Sequence, residues 1–201
     1  MRIARFAASL LAAALVLPMA ASAQAPGAAA PAFTLTDTSG KAVELADYRG
    51  KFVVLEWTNP ECPYVRRHYD SGNMPSLQKE VAAKDVVWVA VNSSSPSSGE
   101  FTTPENMAKW LAAKGAAPKT TLIDQDGKVG RLYGARTTPH MYVIDPQGRL
   151  VYAGAIDDKR WASAAETKSA KNHVRAALGE AMAGKPVSVS ATSPYGCSVK
   201  Y

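Results

Sequence analysis

Apolar positions along this chain fall into three patterns. Phe52 to Trp57 and Val86 to Val91 are short, nearly continuous apolar runs, which predicts two strands buried on both faces. Phe33-Thr34-Leu35 and Val43-Glu44-Leu45 alternate around a Ser-Gly turn at Asp37 to Lys41, which predicts a hairpin ahead of the main sheet. Thr120 to Ile123 is a further short strand. It ends at Asp124-Gln125-Asp126-Gly127, a turn whose acidic pattern is too incomplete for a calcium loop. Met141 to Ile144 and Leu150 to Ala153 flank Asp145-Pro146-Gln147-Gly148 and predict a second hairpin.

Helical spacing appears in three stretches. One runs from Cys62 to about Lys84, broken around Gly72 and Pro75. The next is Pro104 to Lys114, with Thr103 as N-cap, Pro104 in the first turn, and a stripe of Met107, Trp110 and Leu111. The last places Val174, Ala177, Leu178, Ala181 and Met182 on one face and closes at Gly184. Lys185 to Tyr201 reads as an irregular tail with one short strand at Val187 to Val189.

The start of the chain reads as a targeting segment. Arg2 and Arg5 precede an apolar run from Phe6 to Met19, and Ala21-Ser22-Ala23 is a small-residue cleavage pattern. Residues 1–23 are therefore expected to be a signal peptide, followed by an Ala/Pro/Gly linker over 24–31. One domain is expected over 32–184, and a tail carrying Cys197 over 185–201. The expected location is periplasmic or secreted, with no stable membrane insertion once the leader is cleaved, in a compartment where disulfides persist. The net charge of +6 is scattered rather than blocked, which argues against a nucleic-acid surface. With two cysteines and three dispersed histidines there is no zinc spacing, so neither a metal nor an organic cofactor is expected.

Candidate chemistry centres on Cys62, which follows a strand and precedes Pro63 at a predicted helix start. Unpaired backbone N–H groups and the helix dipole favour an anion at that position, and Arg66, Arg67 and His68 lie close in sequence. The adjacent Glu61 acts in the opposite direction.

Two separated motifs carry a family resemblance. Val53 to Val65 is one; Gly134-Ala135-Arg136-Thr137-Thr138-Pro139-His140-Met141-Tyr142-Val143-Ile144-Asp145 is the other. With the opening Pro31-Ala32-Phe33 and Tyr48-Arg49-Gly50-Lys51, they make residues from about Pro31 to Ile156 resemble the redoxin (AhpC/TSA) branch of the thioredoxin-like superfamily. The resemblance implies an α/β thioredoxin-like sandwich, its central mixed β-sheet flanked by helices and preceded by an N-terminal β-hairpin. It also implies a cis peptide bond before Pro139, facing Cys62 and offering a backbone edge to a substrate strand. Thr138, Pro139, His140, Trp57 and Pro63 would form the substrate-binding surroundings. Glu56 matches a buried carboxylate that would pass protons to or from the exchanging sulfur, or else is an outward-facing edge residue.

The chain departs from two standard patterns. Val65 stands where thioredoxins carry their second cysteine. Leu55 and Asn59 stand where peroxiredoxins carry the proline and hydroxyl residue that precede their reactive cysteine. Cys197 is the only other thiol. It could resolve Cys62, bridge it permanently or stay unpaired, three alternatives that spacing leaves open. The expected function is a thiol–disulfide oxidoreductase with Cys62 as nucleophile, acting on protein thiols and disulfides, with a thiol protein as electron donor. The alternatives are a thiol-dependent peroxidase acting on a hydroperoxide and a non-catalytic peptide-binding module.

Overall fold

The structure, a computed structural model, describes residues 25–201. The signal peptide expected over residues 1–23 lies outside the described residues. Among the described residues no helix is long and apolar enough to cross a membrane.

The described strands, in chain order, are β1 (Thr34–Asp37), β2 (Ala42–Glu44), β3 (Val53–Trp57), β4 (Val87–Asn92), β5 (Thr120–Ile123), β6 (Thr137–Thr138), β7 (His140–Ile144), β8 (Leu150–Gly154) and β9 (Cys197–Ser198). Seven of them form one sheet in the order β2-β1-β5-β4-β3-β7-β8, while β6 and β9 pair apart from it. β3, β4 and β5 run parallel, whereas β7, β8 and the β1–β2 hairpin are antiparallel, so the sheet is mixed as expected. The hairpin extends this sheet through β1 and β5. Six α-helices lie among the described residues, α1 (Pro63–Asp70), α2 (Asn73–Ala82), α3 (Pro104–Ala113), α4 (Lys128–Tyr133), α5 (Ala164–Thr167) and α6 (His173–Met182), together with a short 3-10 helix at Leu45–Tyr48.

The two-residue period of β3 divides its side chains between two cores. Val54 joins Tyr69, Met74, Leu77, Trp88, Met107 and Val174 on one face of the sheet, with Cys62 among them. Val53, Leu55 and Trp57 join Phe33, Val89, Leu122, Tyr133 and Tyr142 on the other. Every residue of β3, β4 and β7 is buried, which accounts for their unbroken apolar runs.

Local signals acted where capping chemistry was available. Thr103 accepts from the Asn106 backbone N–H, with Pro104 opening α3. The first helical stretch divides at Gly72, which takes φ +75° between α1 and α2, whereas Pro75 sits in the first turn of α2 and breaks nothing.

Four readings need correction. Residues 24–31 are not a free linker over their described part. Gly27, Ala28 and Ala30 exchange backbone hydrogen bonds with Leu150 and Gly148, because small side chains let the segment lie along the start of β8. Val187 to Val189 is not a strand. The pairing in the tail lies further on, where β9 runs antiparallel to β6. The whole tail folds back on the domain: Ala191 bridges Ala153, and the Thr192 hydroxyl bonds Tyr152 and the Ala155 N–H. Finally, α4 follows the Asp124–Gly127 turn without having been expected. Asp124 is buried there and accepts from the N–H groups of Val129 and Gly130.

Candidate active site

The end of β3 delivers the chain into α1. Cys62 is the N-cap of that helix and Pro63 its first residue. The Asn59 side chain braces the approach, accepting from the Glu61 N–H and donating to Ser94 Oγ. Cys62 is 0 % exposed, and its thiol donates to the Thr138 carbonyl at 3.0 Å. The Thr138–Pro139 bond is cis, as the resemblance implied.

The tail completes the site. Cys197 pairs with Thr138 and Ser198 with Thr137, so the same residue that accepts the Cys62 thiol is bordered by Cys197. Both cysteines are free thiols in this structure. Burial pushes the Cys197 thiol up to about 12, helped by its hydrogen bond to Cys62 and by the charge there. The close approach depends on Gly196, whose φ is +138°. A Cβ there would lie 2.0 Å from the Thr138 carbonyl oxygen.

Two tyrosines pin the tail on either side of Cys197. Tyr195 is buried, and its hydroxyl donates to Asp157 Oδ1 at 2.5 Å. Tyr201 donates to the Ala135 carbonyl at 2.6 Å, with Arg131 stacked over its ring at 4.4 Å. Gly127 and Gly130 leave the room that ring occupies. The Val199 N–H bonds the Arg136 carbonyl, and Lys200 pairs with Glu100. These anchors were missed from sequence. Aromatic residues bracketing a Gly-Cys pair in an otherwise polar tail are the signal that would have found them.

Glu56 is buried, not an outward-facing residue on an edge. Alternation along β3 sends it to the same face as Val54, where Tyr69 and Gln78 donate to it from α1 and α2 and Trp88 Nε1 donates at 2.8 Å from β4. Burial raises its pKa to about 7 against those donors. None of its hydrogen bonds goes to a cysteine.

The remaining sequence candidates are placed elsewhere. The Arg66 guanidinium folds back onto the Pro60 carbonyl and Glu61. Arg67 bonds the carbonyls of Arg160 and Ala162, and His68 lies buried against Tyr195 and Asn73. No side chain of these three hydrogen-bonds the Cys62 thiol; Arg66 reaches Cys62 only through its backbone N–H, which bonds the Cys62 carbonyl. His140 is bonded by the Arg136 N–H and the Tyr142 hydroxyl, and burial with Arg136 nearby lowers its pKa to about 3. Trp57 lies fully buried in the opposite core, its Nε1 on Ser93. Pro63 is exposed at the helix start beside Cys62. Among the described residues no group of three or more His, Cys, Asp or Glu is clustered to hold a metal ion.

The sequence pattern of the AhpC/TSA family matches residues 26–153, a span that holds Cys62 and Pro139 and stops short of Cys197. The thiol-disulfide oxidoreductase ResA of Geobacillus thermodenitrificans is 32% identical over 136 residues, covering 64% of this chain and 68% of the relative. ResA of Bacillus thuringiensis is 27% identical over 62% of this chain, which spans 66% of that relative's length. A solved structure of an uncharacterised conserved protein from Geobacillus kaustophilus is 29% identical. It superposes with a TM-score of 0.76, covering 88% of this chain and 92% of that one. A structure of a thiol:disulfide interchange protein DsbE from Chlorobium tepidum is 28% identical with a TM-score of 0.54, covering 65% of this chain and 84% of that one.

Proposed function

The chain belongs to the AhpC/TSA family, and from that premise we propose that it is an exported thiol–disulfide oxidoreductase with Cys62 as nucleophile and Cys197 as resolving thiol. The observation that carries the proposal is the pairing of Cys197 with Thr138, the residue whose carbonyl accepts the Cys62 thiol. Export rests on the Arg/apolar/Ala-Ser-Ala pattern of residues 1–23.

In the proposed cycle the Cys62 thiolate attacks a disulfide of a partner protein. That S–S bond breaks, one partner sulfur leaves as a thiol, and a mixed disulfide forms on Cys62. Cys197 then attacks the Cys62 sulfur and its proton passes to the second departing partner sulfur. The partner ends reduced, and Cys62–Cys197 ends as a disulfide for a thiol protein to reduce. The timing is set by electrostatics. Burial, the largest cause that holds Cys197 protonated, persists through the cycle, whereas its hydrogen bond to Cys62 and the repulsion from a Cys62 thiolate both vanish once Cys62 is in a mixed disulfide. Cys197 therefore becomes the better nucleophile at the step that needs it.

Thr138 and Pro139 supply the backbone edge, which β9 occupies here; a partner strand would take its place. Glu56 is left out of the sulfur chemistry, because its partners Tyr69, Gln78 and Trp88 hydrogen-bond neither cysteine.

The test uses a disulfide-bonded peptide substrate and mass spectrometry. Cys62→Ser should abolish exchange. Cys197→Ser should accumulate the mixed disulfide on Cys62 and slow turnover roughly a hundredfold or more, because release then waits for a bimolecular thiol. Equal turnover of wild type and Cys197→Ser would refute the resolving role, and unimpaired exchange by Cys62→Ser would refute the reading as a whole.

A further inference from the structure

We propose that Tyr195 is a positioning residue for the disulfide step, yoking Cys197 to the same helix that begins at Cys62. The inference rests on the oxidoreductase reading and adds a residue that the exchange chemistry alone does not name.

The helix α1 holds the tail on two levels. Its N-cap is Cys62, and within the next two turns Tyr64, Arg67 and His68 surround the Tyr195 ring. The ring centroid lies 5.9 Å from that of Tyr64 and 6.4 Å from that of His68, and the Arg67 guanidinium stands 5.7 Å from the ring centre. Only Gly196 separates this anchor from Cys197. A displacement of the Tyr195 backbone is therefore one residue away from Cys197.

The hydroxyl is held by a directional chain. Burial, with Arg67 beside it, lowers the His68 pKa to about 3, so the ring is neutral and carries one proton. The Asn73 amide nitrogen donates to Nδ1 at 3.0 Å, which leaves Nε2–H to donate to the Tyr195 oxygen at 3.1 Å. Arg67 donates to the same oxygen at 3.3 Å. Tyr195 in turn donates to Asp157 Oδ1. Asp157 is buried, its Oδ2 has no hydrogen-bond partner among the described residues, and its Oδ1 is otherwise bonded by the Lys159 N–H at 2.9 Å. Tyr195 is thus one of two donors to a buried carboxylate, a contact that is costly to leave unmade.

A sulfur must meet narrow geometric limits to close a disulfide, so a loosened anchor lowers the population able to react. The cost appears in the closure equilibrium and leaves the first attack by Cys62 untouched.

The full-length chain is equilibrated with reduced and oxidised glutathione, following Cys62-SH + Cys197-SH + GSSG → Cys62–Cys197 disulfide + 2 GSH by alkylation and mass spectrometry. Tyr195→Phe keeps the ring and removes the hydroxyl. Its closure constant is expected to fall roughly tenfold or more, the loss of one hydrogen bond to a charged group, while glutathionylation of Cys62 in a Cys197→Ser background stays at the rate seen with Tyr195 present. Asp157→Asn, which retains an acceptor oxygen, should recover most of the wild-type constant, whereas Asp157→Ala should behave as Tyr195→Phe. A wild-type closure constant in both Tyr195→Phe and Asp157→Ala overturns the positioning role alone. Absence of any internal disulfide in the wild type overturns this inference together with the reading beneath it. Should Tyr195→Phe fail to fold, the Asp157 pair decides on the same criteria.

Discussion

Gly196→Ala tests whether the contact between tail and cis-proline loop brings the two thiols together. The added Cβ would sit 2.0 Å from the Thr138 oxygen, 2.7 Å from its carbonyl carbon and 3.2 Å from Pro139 N. All three neighbours are backbone and cannot swing aside as a side chain would. Against a carbon–oxygen contact of about 3.3 Å, the tail must withdraw by about 1.3 Å. The position also has φ +138°, where an L-residue costs about 1–3 kcal/mol. Relief comes by lifting β9 off β6, which gives up ladder hydrogen bonds of about 0.5–1.5 kcal/mol each. The combined effect of about 3 kcal/mol corresponds to roughly a hundredfold drop in the Cys62–Cys197 closure constant against glutathione. Gly196 lies between Tyr195 and Cys197, which pack on one of the two cores, so the same strain should lower Tm by no more than about 6–12 °C. A Gly196→Ala protein that closes its disulfide with the wild-type constant would refute the reasoning, because the close approach would then be immaterial to thiol pairing.

Two further perturbations probe the scaffold. The raised pKa of Glu56 means the fold prefers its protonated form, so that contribution to stability is fully present below about pH 4.5 and lost as pH rises towards about 7. At about 1.4 kcal/mol per pKa unit, wild type should lose on the order of 3 kcal/mol relative to Glu56→Gln between these limits. Urea unfolding at pH 4.5 and pH 8 measures it, and a constant difference between the two proteins would contradict the shift. Asp124→Ala removes the acceptor for the Val129 and Gly130 N–H groups and for Ser93 Oγ. A loss of about 2 kcal/mol, or a Tm lower by about 4–8 °C, is expected by calorimetry. An unchanged Tm would show that α4 is held by packing alone.

Much of the fold was legible because its signals are local. The apolar runs of β3 and β4, the Asp145–Gly148 turn, and Thr103-Pro104 each state their structure within a few residues. Helix α4 was not legible, since six residues carry too little periodicity and its start is satisfied by Asp124 from the turn before it. Glu56 was half legible. Its place in an apolar run marked it as unusual, but its direction depended on the pleat, and its donors came from α1, α2 and β4. For Arg66, Arg67 and His68, nearness in sequence to Cys62 misled, because helical geometry carried them to other partners.

The chain by itself determined that a cysteine would start a helix after a buried strand, opposite a proline loop. Strand composition, the proline at the first helical turn and the family motif all lie within short windows. Only the tertiary structure decided which thiol stands beside it. Cys197 reaches Thr138 because Tyr195 and Tyr201 find pockets on distant elements and because Gly196 can lie against a backbone carbonyl. Those are contacts between segments far apart in the chain, and their geometry exists only once the sheet has formed and the tail has folded back over it.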